Sequence, residues 1–404
     1  MDTIKKYFLL ETSYAFALSF TKATFVLFFL DKGLSYLDVA LIFSVFNLTV
    51  IIAEPLTAFV ADAFGRRPSL IIGAFLKVIA AILFITGKNI PQFICAEIIS
   101  GIAATFISGC LMAWMVDNLQ EKDRHNLCHL FARCEKYKYL ALIAGGLLGA
   151  LSGEISLKLP WFFCALFFTV FLLVVLQVMP ADSGKGKMRK KMLLSQSLSN
   201  YRLVTQDAPL LLLIISSFMA TFAMAPIQLF WLPSIKHSMS ASISFLGFLW
   251  VGIASCNFLG ASLIPRYLRF FKNKIDGLAL SMFISFFFLI LMILTIHHPL
   301  TILFYFLFEL GSPLFSSVRD DLINQQIKGE ERVTILSLQS LMAKLGTCSG
   351  LFLFGQMGPK IGQQNSWYFF ALFFLGNIFV YWMIQFLMMK TPIKRKVLSL
   401  DGLE

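Results

Sequence analysis

"WFFCALFFTVFLLVVLQVM", residues 161–179, carries no charged side chain and is long enough to cross a bilayer. About 20 helical residues at a rise of about 1.5 Å each cover the ~30 Å hydrocarbon layer. A strand crossing the same layer needs only about 10 residues and alternates apolar with polar ones, so an unbroken run of this kind excludes a barrel. Working outward, eleven further apolar stretches follow the same rule, at 7–30, 37–60, 69–87, 91–116, 129–152, 209–232, 242–264, 275–296, 299–318, 333–355 and 366–389. The chain of 404 residues is 58% hydrophobic and 14% charged. A soluble domain carries about 25% charged residues. The expected fold class is therefore all-α and polytopic, with twelve transmembrane helices.

The basic residues orient these spans. Twenty-three of the 34 Lys and Arg fall at one set of ends, counting both chain termini, and five (Lys32, Lys88, Lys158, Lys236, Lys360) at the other. Basic loops stay in the cytoplasm, so both termini are expected there and the protein in the plasma (inner) membrane. This sorting accounts for the net charge of +12, and nucleic-acid binding is not needed to explain it. The first apolar stretch has no small-residue cleavage signal behind it and is expected to be retained as a span.

The longest polar segment contains "DSGKGKMRKK" and divides the spans six and six. It sets the expected organisation: a first six-helix bundle over 1–180, a cytoplasmic linker over 181–208 and a second bundle over 209–404. The seven cysteines form no CxxC pair, so neither a disulfide framework nor a metal site is expected. His125 and His129 flank Cys128 with no further ligand in view. No GxxxxGK[ST] phosphate loop and no nucleophile-base arrangement stands out, so the chain is expected to need no cofactor and not to be an enzyme.

Charge concentrates between the second and third spans, in "EPLTAFVADAFGRRPSLIIG" (54–73). Arg66 and Arg67 hold that turn in the cytoplasm, Gly65 permits a tight reversal, and Asp62 can meet the positive end of a helix. The loop resembles the signature G-x-x-x-D-[RK]-x-G-[RK]-[RK] of the major facilitator superfamily, matched by Asp62, Gly65, Arg66 and Arg67, with Ala58 and Ala63 as departures. The resemblance implies two six-helix bundles and a cytoplasmic gate in this loop, completed by an acid at the end of the fourth span, where Asp117 stands. The family's fourth-span Arg is replaced by Glu97. Its antiporter signature, G-x-x-x-G-P-x-x-G-G, is met by Gly145, Gly149 and Gly153, with Ala150 and Glu154 in the remaining places. Glycines four apart also form a smooth packing stripe, which explains them without any export-specific role.

Lys77, Glu309 and Lys344 fall near the centres of their spans, Lys22 and Glu97 in outer halves. An unpaired charge at mid-bilayer costs about 2.5–3.5 kcal/mol on insertion scales, so each must pair or face water. The resemblance implies that the first, fourth, seventh and tenth spans line a cavity, which selects Lys22, Glu97 and Glu309 and sets Lys77 aside. Depth suggests the pairs Lys22 with Glu97 and Glu309 with Lys344. Glu11 shares a helical face with Lys22, eleven residues on. The proton-coupling candidates are thus Glu309, Glu97 and Glu11; Lys22 and Lys344 are substrate or counter-ion candidates. Static pairing between helices is the competing reading for each pair. Gln228 and Trp231, three apart on the seventh span, could present an amide and a ring to a ligand. Trp231 could equally join Trp161 and Trp367 in an interfacial belt, and the belt reading is preferred.

The expected function is proton-coupled export of a small, partly apolar molecule by a monomer. The partners are that substrate, protons and the lipid bilayer, and the resemblance to the drug and proton antiporter branch favours export. Proton-coupled uptake of an organic or anionic metabolite is the alternative, and a transporter-shaped sensor or partner subunit that moves nothing is a third.

Overall fold

A computed structural model describes residues 3–108, 110–118, 127–180, 204, 207–271, 273–327 and 332–389. In chain order the helices are α1 (Thr3–Ser19), α2 (Phe25–Asp31), α3 (Tyr36–Phe64), α4 (Arg66–Thr86), α5 (Ile90–Ile107), α6 (Cys110–Asn118), α7 (Leu127–Ile155), α8 (Leu159–Val178), α9 (Ala208–Met239), α10 (Ile243–Leu268), α11 (Lys274–Leu294), α12 (Leu300–Gln326), α13 (Arg332–Ile361) and α14 (Gln363–Met389). No extended strand occurs among the described residues. Among the described residues the fold is all-helical, as the apolar runs require, and ten helical segments there are long and apolar enough to cross a membrane.

The other two expected spans differ for visible reasons. The first breaks after Ser19 into i→i+3 turns, Lys22 N–H to Ser19 O (3.0 Å) and Thr24 N–H to Thr21 O (3.2 Å), before α2 resumes. The eleventh lies within the 30-residue α13 but carries Ser337, Gln339, Ser340, Lys344, Thr347 and Ser349, which dilute its apolar character. The fourth span is also two helices, α5 ending at Ser108, which adopts extended geometry (φ −58°, ψ 143°).

Local signals set the helix ends. Ser35 caps α3 by a reciprocal box, its hydroxyl accepting from Asp38 N–H while the Asp38 carboxylate accepts from Ser35 N–H. Asn89 and Asn273 cap α5 and α11 in the same sense. Gly65 separates α3 from α4 at φ 100°, a conformation that L side chains avoid and glycine adopts freely. The tight reversal expected there is present.

Contacts divide the chain into two units. One comprises Met1–Lys190 with Leu232–Ala254, the other Lys191–Trp231 with Ser255–Glu404. In the first, Tyr7, Leu10, Leu70, Trp114 and Phe168 build a shared core. The glycine stripe of α7 packs on the chain of the first span: Gly145 meets Phe16 O and Ser19, Gly149 meets Phe20 O, and Gly153 meets Thr24. A β-carbon at any of the three would collide, which supports the packing explanation of the stripe.

The second unit repeats this device. Gly346 and Gly350 of α13 lie on the carbonyls of Phe218 and Phe222 of α9. Ser19 Oγ reaches Ala141 O at 3.5 Å, and Thr221 Oγ1 donates to Ala343 O at 2.7 Å, both across 122 residues of chain. The two units thus use the same packing device. The tryptophan belt is corrected: Trp161 stacks on Phe84 at 4.1 Å, and Trp161, Trp231 and Trp367 are all buried. On α14 the outward residues are Leu372, Phe379, Trp382 and Phe386.

Candidate functional site

Glu309 lies midway along α12 with 1% of its surface exposed. Its carboxylate accepts from three neutral groups. Tyr305 Oη donates to Oε1 (2.9 Å), Gln228 Nε2 to both oxygens (3.1 and 3.3 Å) and Asn257 Nδ2 to Oε2 (3.1 Å). Tyr305 stands one turn before Glu309 on the same face, whereas Gln228 and Asn257 come from α9 and α10. Trp231 then stacks on Tyr305 with ring centroids 3.6 Å apart and planes 8° from parallel.

Gln228 and Trp231 therefore do share a face, as their spacing required, and both meet the Tyr305–Glu309 edge of α12. Trp231 is fully buried against that edge, which displaces the interfacial reading. Gln228 remains exposed while its amide nitrogen is committed to the carboxylate. Lys344, expected as the counter-ion of Glu309, is half-buried on α13, and the groups bonded to Glu309 are the three neutral ones instead. The expected pair is corrected accordingly.

The first unit arranges its acid differently. Glu97 and Lys77 are 4% and 5% exposed. Lys77 Nζ donates to Ser100 Oγ (2.8 Å) and sits 5.5 Å from the Phe46 ring centroid. Ser100 is one turn from Glu97 on α5. The opposite charges acting on Glu97 are Lys77 first and Lys22 second, across space and, among the described residues, without a direct ion pair. Lys77, set aside on the sequence because it lies outside the implied cavity-lining spans, is thus the chief counter-charge. Lys22, in the turn between α1 and α2, is the exposed member of the three.

Glu11 stands apart from this group. The break after Ser19 ends the helical register that would have aligned it with Lys22. Its neighbours are the Tyr7 hydroxyl, Lys138 and Glu135, and the latter two form an ion pair of 2.8 Å. In the charged loop, Arg67 Nη2 donates to Leu176 O (2.8 Å), tying α4 to the end of α8. Arg66 opens α4 beside it. The side chains of Asp62 and Asp117 lie outside the described residues, so the acidic part of the expected gate does too.

One further cluster lies at the end of α12. Lys274 Nζ pairs with Asp321 (2.8 Å), and the buried Arg319 pairs with Asp320 (3.2 Å), which also accepts from Gln339 Nε2 (2.6 Å). An Arg-Asp-Asp run ending a long apolar stretch was the available sequence signal.

The sequence model described as Major Facilitator Superfamily matches residues 7–275. The chain is similar to Multidrug resistance protein 1 of Bacillus subtilis (strain 168), 27% identical over 122 residues, 30% of this chain and 31% of that protein. It is also similar to Quinolone resistance protein NorA of Staphylococcus aureus (strain COL), 23% identical over 332 residues, 81% of this chain and 82% of that one. The match to the first relative thus spans about a third of that protein's length. Among solved structures, the nucleoside transporter NupG superposes with a TM-score of 0.76 at 14% identity, covering 95% of this chain and 99% of that one. The D-xylose-proton symporter gives 0.71 at 15%, covering 94% and 96%.

Proposed function

Because the chain belongs to the major facilitator superfamily and is an integral membrane transporter, not an enzyme, we propose that it is a proton-coupled exporter of a small, partly apolar molecule, with Glu309 as the coupling group. The observation that carries this reading is a buried carboxylate held by three neutral donors. Neutral donors orient the carboxylate and stabilise its charge without cancelling it. In hydrocarbon surroundings, that charge is cancelled either by a proton or by a cationic or strongly donating group of a substrate. The two occupants exclude one another, and such exclusion couples proton entry to substrate release. Trp231 and Tyr305 offer a flat aromatic wall beside the acid, suited to a partly apolar substrate. The named multidrug and quinolone resistance relatives support export.

In this reading, a monomer with bundles over 1–180 and 209–404 rocks about a midplane site in the plasma membrane, both termini cytoplasmic. Glu97 is the second coupling candidate. Lys22 favours the alternative of uptake of an anionic metabolite, since two bases beside one acid leave a positive balance on an exposed ammonium. Proteoliposomes with an imposed pH gradient decide between these: candidate cargo should move protons against its own flux for export and with it for uptake. A protein that binds ligand and leaves the gradient unchanged would instead be a sensor.

A further inference from the structure

We propose that Glu154 is an outer clasp, a carboxylate that fastens α7 to the first turn of α10 and releases it whenever the outer side of the transporter opens. The proposal rests on the alternating-access reading and on the orientation given by the basic loops, which puts both helix ends outside.

Glu154 occupies the place where the family signature ends in glycine. The stripe Gly145, Gly149, Gly153 faces the first span, and the next residue points about 100° away. There its Oε2 accepts from Ser244 N–H (2.8 Å) and Ser244 Oγ (3.2 Å). The first N–H groups of a helix lack partners within it and carry the positive end of its dipole. Ser242 Oγ accepts from Phe245 N–H (3.1 Å), so α10 supplies one cap itself and takes the rest from α7. Lys236 of α9 adds an attractive charge.

Below this bond the two helices fit through small residues. Gly247 meets the Ala150 methyl and Gly146 the Trp250 indole, whose Nε1 donates to Leu142 O (3.3 Å). The contact runs from Leu142 to Glu154 on α7 and from Ile243 to Trp250 on α10. Apart from the Trp250 indole and its bond to Leu142 O, the facing residues are small, so the contact is held at its two ends, by Trp250 at one and by Glu154 at the outer one. Glu154 is exposed, so release leaves its charge in water and not buried. The rest of α10, from Ser255 onward, packs with other helices, which makes its outer part the piece able to switch partners.

The test needs no ligand. In full-length protein in nanodiscs, Glu154→Ala and Glu154→Gln should raise hydrogen exchange at the amides of residues 243–246 at least about fivefold. Spin labels at Ser156→Cys and His237→Cys, with the exposed Cys95 changed to Ser, should then show a longer-distance population that the Glu154 parent lacks. Faster exchange with unchanged distances would make Glu154 a mere helix cap and overturn the proposal. Unchanged exchange would overturn the contact itself. Loss of proton coupling is read separately in proteoliposomes, so failure of the coupling reading and failure of the clasp remain distinguishable.

Discussion

Glu97 and Glu309 are both buried carboxyls on helices of a membrane domain, yet one is surrounded by cations and the other by neutral donors. Beside Glu97, Lys77 and Lys22 settle the charge within the protein. Around Glu309, Tyr305, Gln228 and Asn257 hold the group in place with neutral donors, which under the proposed function leaves its charge to be met by a proton or a substrate. Depth along a span is therefore a poor guide to coupling. What matters is whether the surrounding groups already cancel the charge.

The largest effect that would sharpen this contrast is on stability. Lys77 is the first opposite charge acting on the buried Glu97, and leaving a buried charge without its compensation costs up to about 3–5 kcal/mol. Lys77→Met should thus lower thermal stability severely, and the double change Lys77→Met with Glu97→Gln should recover most of it. No recovery in the double variant would break the pairing assignment. By contrast, Glu309→Gln should cost about 1–3 kcal/mol, because its amide oxygen can still accept from Tyr305 while its NH2 meets the Asn257 and Gln228 donors.

The next effect is on transport. Glu309→Gln should lower proton-driven flux about 100-fold or more while sparing exchange in the absence of a gradient, the scale expected for losing a proton-transfer group. The corresponding Glu97→Gln change should cost much less, and equal losses at the two sites would erase the distinction. Smaller again is Tyr305→Phe, which removes one charge-assisted hydrogen bond worth about 1.5 kcal/mol and should slow driven flux about tenfold. The smallest concerns the cytoplasmic loop: Asp62→Asn should slow turnover about threefold to fivefold at unchanged ligand affinity, in line with an acid at a helix end. Unchanged turnover would leave the loop as an orientation signal alone.

Much of the fold was legible because uncharged runs and basic loops obey one-dimensional rules. The reversal at Gly65 and the packing of the α7 stripe were legible for the same reason, being set by residues next to or four apart from each other. The candidate site was legible only in part. Glu309 announced itself as a charge in an apolar run, and Tyr305 could have been found with it, one turn away. Asn257 is harder to find, although Gly260, three residues on, packs on Leu310 O and marks the face of α10 that meets α12. Lys77 was misjudged because α4 was ranked by its place in the family's architecture, whereas its ammonium reaches across to α5. Glu11 and Lys22 were joined by a helical register that the turns after Ser19 interrupt. Lys344 matched Glu309 in depth, but the groups bonded to Glu309 are Tyr305, Gln228 and Asn257.

The most direct measurement is proton release on ligand binding by purified protein in weakly buffered solution, using the tightest binder from a thermal-shift screen. Wild type should release about one proton per bound molecule and Glu309→Gln none, with binding retained in both. Equal release by the two proteins, or ligand binding to wild type without any release, would contradict the assignment of coupling to Glu309.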